Sequence, residues 1–223
     1  MTISVIIPVF NGASFIEEAI ESVLRQSRKV DEILVVDDGS TDGTVRIVER
    51  HADKVKLLPQ AHAGPAAARN RGIRFAFGEH IALLDADDIM LPDRIGLQAA
   101  RLDDNPEIDI ILGNQILFRQ GETPSEVAAS ADIRSRTRPG FLPSAALIRR
   151  STFETHGAFP EDQQIGDFLQ WLKKAQQAGC RYSVLDVPVV LRRVHQSSLS
   201  RSAGPGYANL VAAIRKQGKG NLR

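Results

Sequence analysis

The sequence has few features of a secreted, membrane-spanning or nucleic-acid-binding protein. Its single cysteine, Cys180, excludes an internal disulfide bond. It contains no run of about 20 apolar residues, so we expect no transmembrane helix. The formal net charge is only +1, which gives no electrostatic reason to expect a nucleic acid as a partner.

The chain also lacks the basic opening of a signal peptide, because Met1-Thr2-Ile3-Ser4-Val5 leads directly into an apolar run. We therefore expect a cytoplasmic protein. Cys180 follows Gly179 at the end of a predicted helix, and no neighbouring residue would activate its thiol. It is expected to pack as a small apolar residue.

The first 88 residues show apolar runs that alternate with segments of helical periodicity. The runs predict strands at 3–10, 32–36, 55–58 and 79–84, and the intervening segments predict helices at 14–27, 41–50 and 65–77. Ser14 is the expected cap of the first helix. Strands and helices that alternate at this spacing predict βαβ units and a parallel sheet.

The pattern is less regular after residue 88. It predicts helices at 93–102, 151–156 and 167–177, a strand at 144–148, an extended segment at 181–193, and a long strand or strand pair at 108–118. Residues 119–139 are polar and carry Arg134, Arg136 and Arg138, so this segment is predicted to be a mobile loop.

Three carboxylates, Asp85, Asp87 and Asp88, follow the predicted strand at 79–84. Such a cluster favours a bound divalent cation, because oxygen ligands suit Mg²⁺ or Mn²⁺; a turn before a helix is the alternative. Asn11 and the Asp37-Asp38 pair also follow predicted strands. Because the carboxyl ends of parallel strands share one edge, the sequence predicts a ligand site there.

Four motifs together resemble glycosyltransferase family 2. They are Val-Ile-Ile-Pro-Val-Phe-Asn at 5–11, Val-Val-Asp-Asp-Gly-Ser-Thr-Asp at 35–42, Gly-Pro-Ala-Ala-Ala-Arg-Asn-Arg-Gly at 64–72, and Leu-Asp-Ala-Asp-Asp at 84–88. The resemblance covers about residues 3–200. It implies a GT-A fold: an α/β domain with a Rossmann-like, mostly parallel central sheet and a more irregular C-terminal half. Residues 1–105 would bind the nucleotide, 106–200 would serve the acceptor, and 201–223 would form a terminal helix or tail.

The resemblance also implies a nucleotide-sugar donor, with UDP-sugars as the expected class, and Mn²⁺ or Mg²⁺ as cofactor. Asp87 and His195 are the implied metal ligands. The implied donor-binding residues are Pro8, Val9, Phe10, Asn11, Asp38, Gly64, Arg69, Asp85 and Ala86. Simpler roles stay open: Asp38 as a turn or cap residue, Arg69 on a solvent-facing surface, and His195 as an ordinary hydrogen-bonding residue.

Residues 166–172, Gly-Asp-Phe-Leu-Gln-Trp-Leu, resemble the segment that carries the catalytic base of the family. The family often has Glu-Asp at its start; here Gly166 replaces the Glu and Asp167 is retained. The resemblance implies that Asp167 deprotonates the acceptor hydroxyl, and an N-cap role is the alternative. Trp171 is expected to pack in the core rather than to stack on a sugar.

The predicted function is inverting, metal-dependent transfer of one sugar to a hydroxyl of a glycan, lipid-linked or protein acceptor, of the kind used to build cell-surface polysaccharides. Gln-x-x-Arg-Trp, the motif of processive synthases, is absent. The rivals are a nucleotide-sugar-binding protein that has lost turnover, suggested by Gly166, and a nucleotidyltransferase, whose Gly-rich loop is missing. The apolar stripe in the 201–223 tail predicts docking on the domain itself or a peripheral membrane contact, and a homodimer stays open.

Overall fold

The structure is a computed structural model that describes residues 1–162 and 166–195. The predictions for the 201–223 tail lie outside the described residues.

The first part of the chain alternates short strands and helices, as the apolar periodicity predicts. The elements are β1 (Ile3–Val9), α1 (Ile16–Leu24), β2 (Glu32–Asp37), α2 (Thr44–Glu49), β3 (Lys56–Pro59), α3 (Pro65–Phe75), β4 (His80–Leu83), β5 (Ile89–Met90) and α4 (Arg94–Asp103). The first helix begins at Ile16 after Phe15, without a side-chain cap, so the predicted capping role of Ser14 is wrong. The carbonyl of Gly12 accepts the amides of Phe15 and Ile16 instead.

The second part has longer strands and shorter helices. Its elements are β6 (Ile110–Arg119), α5 (Pro124–Ala129), α6 (Ile133–Arg136), β7 (Thr137–Pro139), a 3-10 turn (Pro143–Ala145), β8 (Ala146–Arg149), α7 (Arg150–His156), α8 (Asp167–Gln177) and β9 (Tyr182–Val194). The segment predicted as one long strand or a strand pair is the single strand β6.

One sheet runs through both parts, in the order β3-β2-β1-β4-β8-β6-β9-β5, with β7 paired to β6. The strands β3, β2, β1 and β4 are parallel, which confirms the predicted parallel half. β8 is antiparallel to both of its neighbours, whereas β6 and β9 are parallel along most of their length. The chain continues from β1 to β2 on one side and reaches β4 on the other, so the switch point lies between β1 and β4.

Helices cover both faces of the sheet because both faces of its central strands are apolar. All seven residues of β1 are buried, as expected of a central parallel strand. On one face α1 buries Ile16, Ala19, Ile20 and Val23, which recur at helical spacing. On the other face α3 packs so closely that a Cβ at Gly72 would lie 2.4 Å from Cγ2 of Ile6, and only glycine leaves room for that approach.

The prediction of a mobile loop at 119–139 is wrong, because this segment forms α5, α6 and β7. Val127 of α5 is buried in a small cluster with Ile116 and Phe118 of β6 and Leu191 of β9. Although the segment has few apolar residues, Val127 meets the apolar end of β6. The segment therefore gains structure from β6, which directly precedes it, and from β9, which lies far away in the chain.

Trp171 lies in the core, as predicted. It is buried, stacks on Phe153 with ring centroids 5.0 Å apart, and donates from Nε1 to the carbonyl of Gly157 at 2.7 Å. Cys180 is buried as well, and burial with the nearby Asp109 carboxylate raises the pKa of its thiol to about 12. Among the described helices, none has the length and apolar character needed to cross a membrane.

Candidate functional site

The acidic turn 85–88 lies at the carboxyl end of β4, beside the switch point of the sheet. Its start is fixed by Ser144, whose hydroxyl oxygen accepts the amide of Asp85 at 2.9 Å. The turn closes with a hydrogen bond from the amide of Asp88 to the carbonyl of Asp85 at 3.0 Å. It then leads into β5, which pairs with β9, so sheet strands hold the turn at both ends.

A buried arginine, Arg94, holds the backbone from which this turn starts. Arg94 of α4 is 1% exposed and donates to the carbonyl of Leu83 at 3.0 Å, to that of Ala146 at 2.9 Å, and to that of Ser144. Burial lowers the pKa of its guanidinium, while the charge of Asp88 acts in the opposite direction. Arg94 thereby joins the end of β4 to the start of β8, where Asp85 and Ser144 meet.

The structure brings together the two residues predicted as metal ligands. Nε2 of His195 lies 2.9 Å from Oδ2 of Asp87, although the two are 108 residues apart in the chain. Burial, and then the negative charge of Asp85, raise the pKa of Asp87, and His195 acts against this shift. The imidazole ring also packs against Phe15, with centroids 4.9 Å apart.

Asp88 has a different environment from Asp87. It is buried, and its Oδ1 accepts the backbone amide of Arg193 at 3.1 Å. Burial, followed by the charges of Asp87 and Asp85, raises the pKa of Asp88 well above its usual range. Asp88 thus ties the turn to β9, which decides a role that the sequence left open.

Arg69 does not lie on a solvent-facing surface. It is 5% exposed and binds two carboxylates at once, from Nη2 to Oδ1 of Asp85 at 2.6 Å and from Nη1 to Oδ2 of Asp167 at 2.7 Å. Burial by itself would lower the pKa of its guanidinium, but Asp85 and Asp167 together raise it. Arg69 therefore connects the acidic turn to the predicted catalytic base. Its neighbour Arg71 lies over the ring of Phe75 instead, 5.0 Å from the centroid.

Asp167 is the first residue of α8 and is buried. Gly166 precedes it with φ +85° and ψ 8°, in the left-handed region that glycine occupies without strain. Glycine suits this position, since this backbone conformation disfavours a side chain. Gly166 is the N-cap of α8, so Asp167 is the residue after the cap, and its carboxylate pairs with Arg69.

Asp38 holds the segment that leads into α3. Its Oδ1 accepts the Gln60 side-chain amide at 2.6 Å and the Ala63 backbone amide at 2.9 Å. Its Oδ2 accepts the backbone amide of Gly64 at 2.9 Å and lies 2.8 Å from Nδ1 of His62. A carboxylate has about four acceptor positions, so those of Asp38 are occupied by its own chain.

The end of β1 offers one exposed aromatic surface. Pro8 and Val9 are buried, whereas Phe10 is 46% exposed and stacks on His62 with centroids 4.1 Å apart. Asn11 joins the segments that follow β1 and β2, because its Oδ1 accepts the amide of Thr41 at 2.8 Å. Its backbone is left-handed, with φ 49°, a conformation that asparagine tolerates better than most residues.

Two further predicted residues lie between these groups. Ala86 is half-buried in the acidic turn, against the core that contains Val9. Gly64 precedes α3, and its φ of 93° turns its amide toward Asp38. Since α3 starts beside Asp38 and carries Arg69 in its second turn, one helix connects the Asp38 segment to the acidic turn.

The residues present fit a divalent cation that is shared with a substrate. Among the described residues, no group of three or more His, Cys, Asp or Glu side chains is arranged to hold a metal by itself. Asp87 and His195 supply one carboxylate and one imidazole at one place. Mg²⁺ and similar ions are commonly held by one or two carboxylates together with substrate phosphates and water, and this pair matches that arrangement.

Several residues of the site were not predicted from the sequence. Ser144, His62 and Arg193 contact predicted site residues. Arg94 holds the carbonyl of Leu83 just before the acidic turn, and Glu18 pairs with Arg193. Arg193 could have been found, because it lies two residues before His195 on a predicted strand and must face the same way. The others come from distant parts of the chain, and no local pattern singles them out.

Comparisons with known sequences identify the same part of the chain. Residues 4–157 match the model of glycosyl transferase family 2. The chain is 37% identical over 158 residues to the uncharacterized glycosyltransferase YibD of Escherichia coli K12, covering 67% of this chain and 45% of YibD. It is 36% identical over 177 residues to an uncharacterized glycosyltransferase of Nostoc sp., covering 73% of this chain and 54% of that protein.

Solved structures show the same fold. S. aureus TarS 1–349 in complex with UDP superposes with a TM-score of 0.70 at 25% identity, covering 96% of this chain and 65% of that one. Mannosyltransferase PcManGT from Pyrobaculum calidifontis, in complex with GDP-Man and Mn²⁺, gives 0.69 at 25% identity, covering 90% and 59%. The chain thus spans less than two thirds of these relatives, and the predicted GT-A fold is confirmed. The chain belongs to glycosyl transferase family 2.

Proposed function

We propose that this protein transfers one sugar from a nucleotide-diphosphate sugar to an acceptor hydroxyl, with inversion at the anomeric carbon. The observation that carries the proposal is the continuous set of side chains from His195 and Asp87, through the acidic turn to Asp85, and through Arg69 to Asp167. In this proposal Asp87 and His195 would bind the metal and Asp167 would be the base, and Arg69 connects the acidic turn to Asp167.

The nucleoside would lie at the ends of β1 and β2. The exposed face formed by Phe10 and His62 is suited to stacking against a base. For Asp38 to read a base as well, it must release one of its present partners, and Gln60 and His62 are the side chains among them. We propose a UDP-sugar as the donor; TarS binds UDP and PcManGT binds GDP-Man, so both nucleotides need to be tested.

Asp87 and His195 would hold Mn²⁺ or Mg²⁺ at the diphosphate. When bound, the cation would neutralise the negative charge that develops on the leaving diphosphate. Asp85, whose carboxylate is fixed by Arg69, would contact the nucleotide beside the metal pair. Arg69 itself would add positive charge near the phosphates while remaining bound to its two carboxylates.

Asp167 would accept the proton of the attacking hydroxyl. Arg69 occupies its Oδ2, so we assign proton acceptance to Oδ1. The acceptor oxygen then forms the new bond to the anomeric carbon as the bond to the diphosphate oxygen breaks on the opposite face. The acceptor, which we propose to be a glycan, lipid-linked or protein hydroxyl in cell-surface polysaccharide synthesis, would approach over α8.

Isothermal titration with UDP, GDP and their sugars in the presence of MnCl₂ tests the donor half of the proposal. We expect binding of a nucleoside diphosphate that requires the metal and weakens strongly in Asp87→Asn. Asp93→Asn is the matched control, because Asp93 is an exposed carboxylate before α4. Failure to bind any of these nucleotides with Mn²⁺ would overturn the proposal.

Asp167→Asn separates an enzyme from a nucleotide-sugar-binding protein that has lost turnover. An acceptor screen with radiolabelled donor should find transfer by the wild type and its loss in this variant, while donor affinity is retained. If Asp167→Asn left the function of the protein unchanged from that of the wild type, a nucleotide-sugar-binding protein without turnover would be favoured. Inversion is checked by the anomeric configuration of the product.

A further inference from the structure

We propose that Arg193 is a positioning residue that holds the acidic turn against β9 and so aligns Asp87 with His195. The purpose of this alignment, metal binding, rests on the proposed function. The contact between Arg193 and the acidic turn does not depend on that function. Arg193 lies near the end of β9, two residues before His195.

Arg193 donates hydrogen bonds to two consecutive residues of the turn, one from its backbone and one from its side chain. Its backbone amide donates to Oδ1 of Asp88 at 3.1 Å, and its Nε donates to the carbonyl oxygen of Asp87 at 3.0 Å. The first bond is accepted by the side chain of Asp88 and the second by the backbone of Asp87. Together they fix both the position and the rotation of the peptide that carries the Asp87 carboxylate.

The guanidinium is itself held rigidly. It lies over the ring of Phe118 at 4.4 Å and over that of Phe15 at 5.2 Å, and its Nη2 pairs with Glu18 of α1. Arg193 is only 7% exposed. A cation packed against two aromatic faces and bound to a carboxylate loses little further freedom when it contacts the turn.

These contacts distinguish Arg193 from a substrate-binding arginine. It meets the carbonyl of Asp87 and not its carboxylate, so the carboxylate stays available to His195 and to a cation. Its Nη2 pairs with Glu18 and its guanidinium is buried against two aromatic rings, which leaves it poorly placed to bind a diphosphate. Arg193 therefore acts through Asp87.

The alternation of the strand explains the pairing. Arg193 lies in β9 and His195 directly follows the strand. Their side chains lie on the same face, because successive side chains of a strand point to opposite faces. Arg193 thus holds the backbone of the turn while His195 meets the carboxylate of Asp87. The metal pair is aligned before any ligand arrives, which reduces the cost of ordering it on binding.

Hydrogen exchange of the metal-free protein tests the contact without relying on function. We expect Arg193→Gln to accelerate amide exchange in residues 85–91, and Glu18→Gln to do so to a smaller extent while keeping Arg193 in place. Glu17→Gln is the matched control, since Glu17 lies next to Glu18 on α1 but approaches Arg50 and His51. Unchanged exchange in the folded Arg193 and Glu18 variants would overturn the proposal.

The second readout is Mn²⁺ binding in the presence of nucleotide, followed by electron paramagnetic resonance. Loss of a residue that orients a metal ligand typically weakens metal binding by about 10- to 100-fold, and we expect a loss in this range for Arg193→Gln. Arg193→Lys should recover part of it. Excess Mn²⁺ should restore turnover, since the reacting groups are intact.

The outcomes separate this inference from the proposed function. Faster exchange with unchanged Mn²⁺ affinity would show that Arg193 is structural only, and a loss of turnover that excess Mn²⁺ does not restore would show direct participation; both overturn the inference. If the wild type binds no Mn²⁺ with any nucleotide, the proposed function fails, and the exchange experiment alone decides whether Arg193 holds the turn.

Discussion

Nη1 of Arg69 lies 2.7 Å from Oδ2 of Asp167, and this buried ion pair joins two residues that are 98 positions apart. The same guanidinium binds Asp85. Without Arg69, the buried carboxylate at the start of α8 and that of Asp85 in the acidic turn would lose their main cationic partner. Arg69 thus connects α3 and the acidic turn to α8, and its removal should affect both regions.

Replacing Arg69 by glutamine should be strongly destabilising. Removal of one partner from a buried ion pair costs about 3–5 kcal/mol, because the remaining charge stays buried and unpaired. We expect the free energy of unfolding, measured in urea, to fall by this order. Arg25→Gln is the control, since Arg25 forms an exposed pair with Glu21 and should cost less than about 1 kcal/mol. Similar small losses in both variants would contradict a structural role for the Arg69 bridge.

Asp38→Asn separates the structural role of Asp38 from base recognition. An amide nitrogen at one oxygen position would face donors such as the amides of Ala63 or Gly64, so the free energy of unfolding should fall by about 1–3 kcal/mol. Asp53→Asn, in an exposed pair with Lys54, should have little effect. If Asp38 serves only the base, stability would be unchanged while nucleotide affinity falls.

Gly166 should not tolerate the residue that the family often carries there. At φ +85°, a Cβ costs about 1–2 kcal/mol, so Gly166→Ala and Gly166→Glu should both lower the free energy of unfolding. Gly43→Ala is the control, because Gly43 has φ −77° and a Cβ there meets only ordinary contacts. Gain of stability in Gly166→Glu would show that the glycine is not required by the backbone.

His80 should make stability depend on pH near neutrality. Burial, and then the charge of Arg149, lower the pKa of His80 at the start of β4. Below about pH 6.5 the unfolded chain takes up a proton that folded His80 does not, so the free energy of unfolding falls as pH drops, until the folded-state pKa is passed.

His80→Gln should remove this part of the pH dependence. The difference between variant and wild type should be constant above about pH 7.5 and shift in favour of the variant below about pH 6.5, by at most about 1.4 kcal/mol per pH unit. Urea denaturation at a series of pH values measures it. Parallel curves for the two proteins across this range would contradict the assignment to His80.

The parallel half of the fold could be predicted because its signals are local. The buried run of β1 and the helical spacing of α1 are each visible within about ten residues, and the acids at 85–88 directly follow a strand. The contacts of Arg69 and Arg193 could not be predicted in this way. They join residues 98 and 106 positions apart, so their partners are set by strand order, which the sequence pattern does not show.

The prediction for 119–139 failed for a related physical reason. Its composition is polar, but Val127 needs only the apolar end of β6 and Leu191 of β9 to become buried. A pattern within the segment cannot show a hydrophobic surface that other strands provide. The same holds for the saturation of Asp38, where two of the four donors are backbone amides.

The pairing of β9 sets the size of the unit that must fold together. β9 lies parallel to β6 over most of its length and also pairs with β5, yet it lies beyond residue 157, where the family match ends. A fragment cut at that point would keep every family motif of the first half but expose the edge of β6 and release the strand that follows the acidic turn. The segment that matches the family model is therefore shorter than the segment that we expect to fold as a stable unit.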